Sequence, residues 1–384
     1  MSDAPVYEIA PDAFFRDPYP DLARMRAECP IAYVPQFGAT LLTRRDTIHR
    51  EEKRIEVFSS EQPGGLMTVL MGENMMRKDG AAHQAERRAL FPAISPRTVN
   101  DHWRALFALK AMEVLTKLAP KGQCDLVTEY AMPVSAEALK LITGLRHMTA
   151  AEMDGSSQAM LDGCANYVGN PEIETRCHAA TALIDEHIDR TIADAEEHSA
   201  LAVLRDAGEP MERIRANIKL VISGGQNEPR DVIAGTAWAM LSHPDQLARI
   251  QSGAKSWSDA FAEYTRWMSP VGMSPRRVAR TDTVEGVNFE PEERVFLMFS
   301  SANRDEAHFE NPDVFDIDRD TSPAIAFGAG PHFCAGAAAS RCLIVDVALP
   351  LLFARLPSLR LDGETDMAGW AFRGPRSVPV RWDR

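Results

Sequence analysis

Apolar residues recur at intervals of three and four through most of the chain, the spacing of helices that bury one face. From Arg97 to Ala207 this pattern breaks at Pro120-Lys121-Gly122, Gly144, Gly155 and Gly169-Asn170-Pro171. The longest run, residues 211–242, carries Met211, Ile214, Ile218, Val221, Ile222, Val232, Ile233, Trp238 and Leu241 and ends at His243-Pro244. Another, Ala337 to Leu356, is apolar nearly throughout. Alternation replaces this period in few places. Ile31 to Val34 and Thr40 to Leu42 predict a hairpin around Pro35 and Gly38, flanked by helices at Asp21–Glu28 and Arg45–Arg54. Val295 to Phe299 predicts a short buried strand and Ser377 to Trp382 a last one. The pattern is that of a helix-rich chain with a few strands.

Two segments fit neither period. Gly64, Gly65, Gly72 and Gly80 punctuate a stretch carrying Met67, Met71, Met75 and Met76. Flexible methionines either fill irregular core gaps or line an adaptable binding surface, and both readings stand. The second is Ser223-Gly224-Gly225-Gln226-Asn227-Glu228-Pro229-Arg230-Asp231, inside the longest helical run. Two glycines weaken a helix there, and Pro229 removes a hydrogen bond and crowds the turn before it. The expectation is one long helix that is kinked or locally widened, a distortion that recurs at functional sites.

Composition narrows the classes. The chain has 384 residues, is 45% hydrophobic and 25% charged, and carries a net charge of −13. That acidic balance argues against nucleic acid as the main partner. Six cysteines, at 29, 124, 164, 177, 334 and 342, form no CxxC pair, so neither a disulfide framework nor a zinc site is suggested. Residues 1–5 lack the basic and apolar regions of a secretory leader, and no long unbroken apolar run stands out. A soluble, cytoplasmic protein with no membrane span is expected.

One stretch changes the picture. Phe327-Gly328-Ala329-Gly330-Pro331-His332-Phe333-Cys334-Ala335-Gly336 surrounds a cysteine with glycine and proline where an apolar helix is about to begin. Glycines let the backbone approach a bulky planar object. A cysteine near a helix N-terminus is favoured as thiolate, the form that binds iron. A buried structural cysteine in a turn is the plainer alternative. The order of phenylalanine, seven residues, cysteine and a glycine two further on resembles the haem-binding loop of the cytochrome P-450 family. About 70 residues earlier, Glu263-Tyr264-Thr265-Arg266 sits in an apolar helix. It resembles that family's ExxR motif, whose Glu and Arg at i, i+3 face the same way.

The resemblance extends along nearly the whole chain, with its best motifs from His83 onward. It implies a single domain, 1–384, with the mainly α haem-thiolate fold and its smaller β-rich region. It also implies haem b (iron protoporphyrin IX) with Cys334 as axial thiolate. His83 and Arg87, four apart, share one helix face and suit an anionic partner. Without the cysteine loop they would read as a solvated basic face; in the family such a pair holds the haem propionates. Arg277 aligns with a further propionate arginine. Ala324 stands where the family often has a propionate-binding histidine, and His332 can compensate. Glu263 and Arg266, completed by Arg319, are implied to form a buried structural cluster. Val271, Met273 and Phe372 fall on segments that line the family's substrate pocket, although packing alone accounts for Phe372 equally well.

In the family the central helix opens over the haem and carries an acid followed by a threonine that serves proton delivery. Those places hold Asn227 and Glu228 here. Glu228 can act as a general acid/base if burial raises its pKa, or it can pair with Arg230 and be structural. The implied activity is insertion of one oxygen atom from O2 into a small organic substrate, by hydroxylation or oxidative O-demethylation. The carboxylate replacement suggests a methoxy-aromatic. No flavin or iron–sulfur motif is visible, and the chain is short for a fused reductase. A monomer is expected that receives electrons from a separate ferredoxin or flavodoxin with its reductase, docked near Arg87, Arg88 and Arg341. Two alternatives remain open: a peroxygenase driven by hydrogen peroxide through Glu228, and a haem-thiolate protein that binds or senses a ligand without oxygenating it.

Overall fold

The alternating segments Ile31–Val34 (β1) and Ala39–Leu42 (β2) pair antiparallel, with Ile31 opposite Leu42. Gly38 takes the positive φ that the turn between them requires. Apart from Tyr33 every residue of both strands is buried, so the core decides their register. Phe58–Ser59 (β3), Ser274–Val278 (β4) and Arg294–Leu297 (β5) complete a five-stranded sheet in the order β1-β2-β5-β4-β3. β5 runs parallel to β2 and antiparallel to β4. This sheet packs with the ring cluster of Phe14, Phe37, Phe296 and Trp370, in which Phe37 stacks on Trp370 at 4.3 Å.

The computed structural model describes residues 2–167 and 169–383. The sheet belongs to the first of two compact units, made of residues 1–62, 235–334 and 365–376. The second is made of residues 63–234, 335–364 and 377–384. Each is assembled from three separate stretches, so neither is a contiguous segment of sequence.

The second unit is mostly helical, as the three-and-four spacing predicts. Its helices include Gly80–Ile94 (α1), Ala150–Cys164 (α2) and Met211–Ser223 (α3). Thr149 starts α2 with a capping box, its hydroxyl accepting from the Glu152 N–H while the Glu152 carboxylate accepts from the Thr149 N–H. Asn227–Ser242 (α4) follows α3, and Trp257–Met268 (α5) lies wholly in the first unit. α4 and α5 cross so closely that a Cβ at Gly235 would stand 1.7 Å from the Tyr264 hydroxyl.

Several elements differ from their prediction. The helix expected at Arg45–Arg54 ends at Glu51, and the strand expected to reach Phe299 ends at Leu297, with Phe299 opening a short helix. The single helix expected over 211–242 is two helices with residues 224–226 between them. Pro229 is then in the first turn of α4, where its missing N–H leaves no helical hydrogen bond unmade. Lastly, Ala337–Arg355 is, by length and composition, long and apolar enough to cross a membrane, contrary to the expected absence of any candidate. Its Leu343, Ile344, Val347, Leu349 and Leu352 are buried, and Tyr130 donates a hydrogen bond to the Ala348 carbonyl at 2.7 Å. That is the packing of a core helix.

Candidate functional site

Glu263 and Arg266 lie one turn apart on α5, and both are fully buried. Arg266 donates from Nε and Nη2 to the two Glu263 oxygens at 2.7 Å each. Its Nη1 donates to the carbonyls of Asn303 and Pro312, at 3.1 and 2.8 Å. Arg319 Nε donates to Glu263 Oε1 at 3.2 Å, and the Asp316 N–H adds a bond to the same oxygen at 3.0 Å. Two guanidinium groups thus share one carboxylate, and backbone carbonyls take their remaining N–H groups. Such full pairing is what makes a buried charge tolerable. The structure brings all three residues of the expected cluster together.

Asn303 carries this rigidity to the glycine loop. Its carbonyl is held by Arg266, its Nδ2 donates to Ser269 Oγ at 2.9 Å, and its Oδ1 accepts the Ile325 N–H at 2.8 Å. Ile325 opens the loop. Gly328, at φ 75°, donates its N–H to the Ile325 carbonyl at 2.9 Å. Further on, the Cys334 N–H donates to the Phe327 carbonyl at 2.9 Å and the Phe333 N–H to the Gly330 carbonyl at 3.0 Å. The cysteine therefore sits at the closing end of a ring of backbone hydrogen bonds.

A second support comes from Glu52, just past the short helix Arg45–Glu51 and only 2% exposed. Its Oε2 accepts the Ala329 N–H at 2.8 Å. A Cβ at Gly328 would stand 2.8 Å from Glu52 Oε1, and one at Gly330 would stand 2.7 Å from the Glu52 carbonyl oxygen. Burial pushes the Glu52 carboxyl up, opposed by Arg276 and by the Ala329 N–H. Arg276, also buried, approaches Glu52 to 3.8 Å. Adjacent strand residues point to opposite faces, so Arg277 is turned away. It donates Nε to the Glu61 carbonyl at 2.9 Å and pairs with Glu292 at 2.5 Å. Of the two, Arg276 is the one beside Glu52 and the loop.

No residue from 326 to 334 is buried, and Phe333 is 45% exposed. Cys334 is half-buried, and His332 and Ala324 are half-buried near it in sequence. Burial pushes the thiols of Cys124 and Cys164 up to about 12 and those of Cys177 and Cys342 up to about 11, and it also raises that of Cys29. Those five are poor thiolates. Glycine-rich backbone beside one cysteine, with no residue from 326 to 334 fully buried, fits a flat group whose metal takes a thiolate ligand. In the same unit Val271 and Phe372 form an isolated β-bridge, Gly272 donates its N–H to the Ala371 carbonyl at 2.8 Å, and Met273 is buried. The three expected pocket residues are thus neighbours.

In the second unit the break between α3 and α4 is anchored by side chains. Ser135 donates to the Gln226 carbonyl at 2.8 Å, and Gln226 Nε2 donates to the Met132 carbonyl at 3.3 Å and to Asp154 Oδ1 on α2 at 3.0 Å. Arg230 donates to Asp154 at 2.9 Å and to Asp231 at 2.8 Å, and Asn227 Nδ2 donates to Gln158 Oε1 at 2.8 Å. Arg230 is therefore committed to two aspartates, and its pairing with Glu228 is not formed. Glu228 Oε2 and Asn227 Oδ1 are buried without a hydrogen-bond partner among the described residues. Burial pushes the Glu228 carboxyl up to about 7, with Asp231 adding to the rise and Arg230 opposing it. Burial likewise pushes Asp231 up to about 6, against the pull of Arg230.

On α1, His83 is buried, Arg87 half-buried and Arg88 exposed. The neighbouring Glu86 is buried too, paired with Lys78 and accepting from Asn217 Nδ2 at 2.8 Å.

Residues 258–349, which span the Glu263 cluster and the Cys334 loop, match the family model described as Cytochrome P450. The chain is 28% identical to Cytochrome P450 107B1 of Saccharopolyspora erythraea, covering 96% of both. It is also 28% identical to the C-19 steroid 1alpha-hydroxylase of Sorangium cellulosum, covering 88% of this chain and 87% of that one. This chain belongs to the cytochrome P450 family. Its fold is the mainly α P450 fold: the structure of P450BioI in complex with an acyl carrier protein matches with TM-score 0.87 at 21% identity, over 97% of this chain and 100% of that one. P450s are oxidoreductases that carry haem b on an axial cysteine thiolate.

Sequence reasoning about this P450 missed Glu52, Arg276 and the side chain of Asn303. Glu52 lies in Arg50-Glu51-Glu52-Lys53-Arg54, which reads as a solvated charged face. Strand alternation states that one of Arg276 and Arg277 faces inward without saying which. Asn303 stands in a family-like segment, Ser300 to Asp305, and nothing local marks it as a bridge between cluster and loop.

Proposed function

We propose that Cys334 is the axial thiolate of haem b in this P450, and that the enzyme inserts one oxygen atom into a small organic substrate. One observation carries the assignment. The loop before the cysteine is pinned by two buried side chains, Asn303 at Ile325 and Glu52 at Ala329, while no residue from 326 to 334 is fully buried. When bound, thiolate-ligated haem activates dioxygen so that, with two electrons and two protons, one oxygen atom enters the substrate and the other leaves as water.

The remaining chemistry falls to the chain's own side chains. Glu228 holds a proton at Oε2, and with its carboxyl raised to about 7 both protonation states are populated near neutrality, so it can give a proton and recover it. Asn227, held by Gln158, presents Oδ1 as an acceptor for water or substrate. His83, Arg87 and His332 supply the cationic or hydrogen-bonding groups for the haem carboxylates, and Arg277 would have to leave Glu292 to join them. Val271, Met273 and Phe372 meet the substrate. The reading takes the whole chain, 1–384, as one catalytic domain.

Relatives carry names such as C-19 steroid 1alpha-hydroxylase and Epothilone C/D epoxidase. For this chain we propose hydroxylation or oxidative O-demethylation, with methoxy-aromatics the first class to titrate against the ferric protein. Electrons come from a separate ferredoxin or flavodoxin with its reductase, which meets the exposed Arg88 and Arg341 in the cytoplasm of a cell. A second reading, peroxide-driven oxygenation, is favoured by the buried carboxyl of Glu228, which can take and return the peroxide proton. Turnover is to be measured with a ferredoxin system and with peroxide alone. Product with reductant supports the monooxygenase, product with peroxide only supports the peroxygenase, and binding spectra with no product under either make the protein a ligand binder.

A further inference from the structure

We infer that Glu52 is a positioning residue for the Cys334 thiolate, holding the Gly328-Ala329-Gly330 arc so that the loop presents sulfur in one orientation. The inference rests on the reading of Cys334 as ligand. Its starting point is an expense with no local return. A carboxylate that is 2% exposed loses its water, and its nearest cation, Arg276, stands at 3.8 Å, beyond hydrogen-bond length. A leucine would fill a similar volume without that loss. What a carboxylate adds is direction: Oε2 accepts the Ala329 N–H at 2.8 Å, a charge-assisted bond of good length.

The loop is shaped to receive it. Gly328 and Gly330, on either side of Ala329, leave no room for a Cβ against Glu52 (2.8 Å to Oε1 and 2.7 Å to the carbonyl oxygen). The loop backbone therefore lies directly on this one residue over three consecutive positions. Glu52 is itself fixed, its N–H donating to the Ile48 carbonyl at 2.9 Å. With Asn303 holding Ile325, the arc has two anchors four residues apart and the cysteine lies beyond the second. Removing the Glu52 acceptor takes away the side-chain anchor at Ala329, between the two glycines that lie against it. The sulfur is then free to lose its orientation.

The test uses the full-length holoprotein and three substitutions. Glu52→Gln keeps an oxygen that can accept the Ala329 N–H. Glu52→Asp keeps the charge but withdraws the oxygen by one methylene, and Glu52→Leu removes the acceptor. The readouts are the thiolate-type Soret band of the reduced, carbon-monoxide-treated protein and the rate of haem transfer to a scavenger apoprotein. The wild type and Glu52→Gln should keep the band. Glu52→Asp and Glu52→Leu should lose most of it and release haem about tenfold faster, the factor expected when one charge-assisted hydrogen bond is lost. Equal bands and equal release in all four proteins would overturn the inference. So would loss in Glu52→Gln with retention in Glu52→Asp, since that order makes the charge opposite Arg276 the determinant. If Glu52→Leu does not fold, the order of Gln and Asp still decides. A wild type without a thiolate band would instead refute the assignment of Cys334.

Discussion

The Cys334 loop and the Glu228 break both interrupt regular backbone, and they are built in opposite ways. The loop is small and nowhere fully buried, yet almost every polar group that shapes it has a partner. Glu52 and Asn303 reach it from outside, and Asn303 is backed by the doubly paired Glu263. The break is also anchored, through Ser135, Gln226 and Asp154, but its central carboxylate oxygen, Glu228 Oε2, is buried without a hydrogen-bond partner among the described residues. The difference teaches what each kind of site needs. A ligand that must keep one orientation is best served by satisfied neighbours. A proton carrier must not be satisfied, because a fixed partner pins its charge and moves its pKa away from working pH.

The largest effect should follow from Cys334→Ser, which keeps the loop bonds and removes the sulfur. The thiolate-type Soret band should vanish and turnover fall to background; an unchanged spectrum would end the comparison at its first member. Next comes the support of the loop. Arg266→Ala strands Glu263 as a buried carboxylate with only Arg319 and one N–H, and urea unfolding should show a loss of about 3–5 kcal/mol. A loss below about 1 kcal/mol would mean the cluster is not what stiffens Asn303.

Glu228→Gln probes the other region. Turnover with reductant should fall about a hundredfold, the usual scale for one general acid, while the thiolate band stays. Its pH signature has a definite sign. The folded carboxyl titrates at about 7 against an ordinary 4.5, so between those values the folded state holds the extra proton. The contribution of this group to stability is complete below the ordinary value and is lost as pH rises through the folded one. Urea midpoints of the wild type should therefore fall more steeply than those of Glu228→Gln across that window. Parallel curves would show that the carboxyl is not held in a dry site. The smallest effect is expected of Gln226→Ala, which removes the bonds to Met132 and Asp154 and should cost about 1 kcal/mol.

The two regions were not equally legible in the sequence. The loop announces itself because a backbone that must hug a flat partner admits few side chains, so glycine, proline and cysteine fall at fixed places. The Glu263–Arg266 pair is local too, one helical turn apart, and it needed only the loop downstream to give it meaning. The break was half legible. Two glycines and Pro229 flagged it, but they fit a kinked helix as well as two helices. The choice came from Asp154 and Gln158 on α2, about 70 residues away in sequence.

What the sequence determined by itself was the set of conformations each segment tolerates and the one sulfur placed to bind iron. These are decided within a few residues, by backbone sterics and by helical or strand period. What only the tertiary structure decided was which charges are buried and what they face. Glu52 stands among exposed-looking charges, Arg276 beside an identical neighbour, and Glu228 next to an arginine that turns out to serve two aspartates. Burial and partnership are long-range properties, set by whatever the fold packs against a side chain, and no local pattern encodes them.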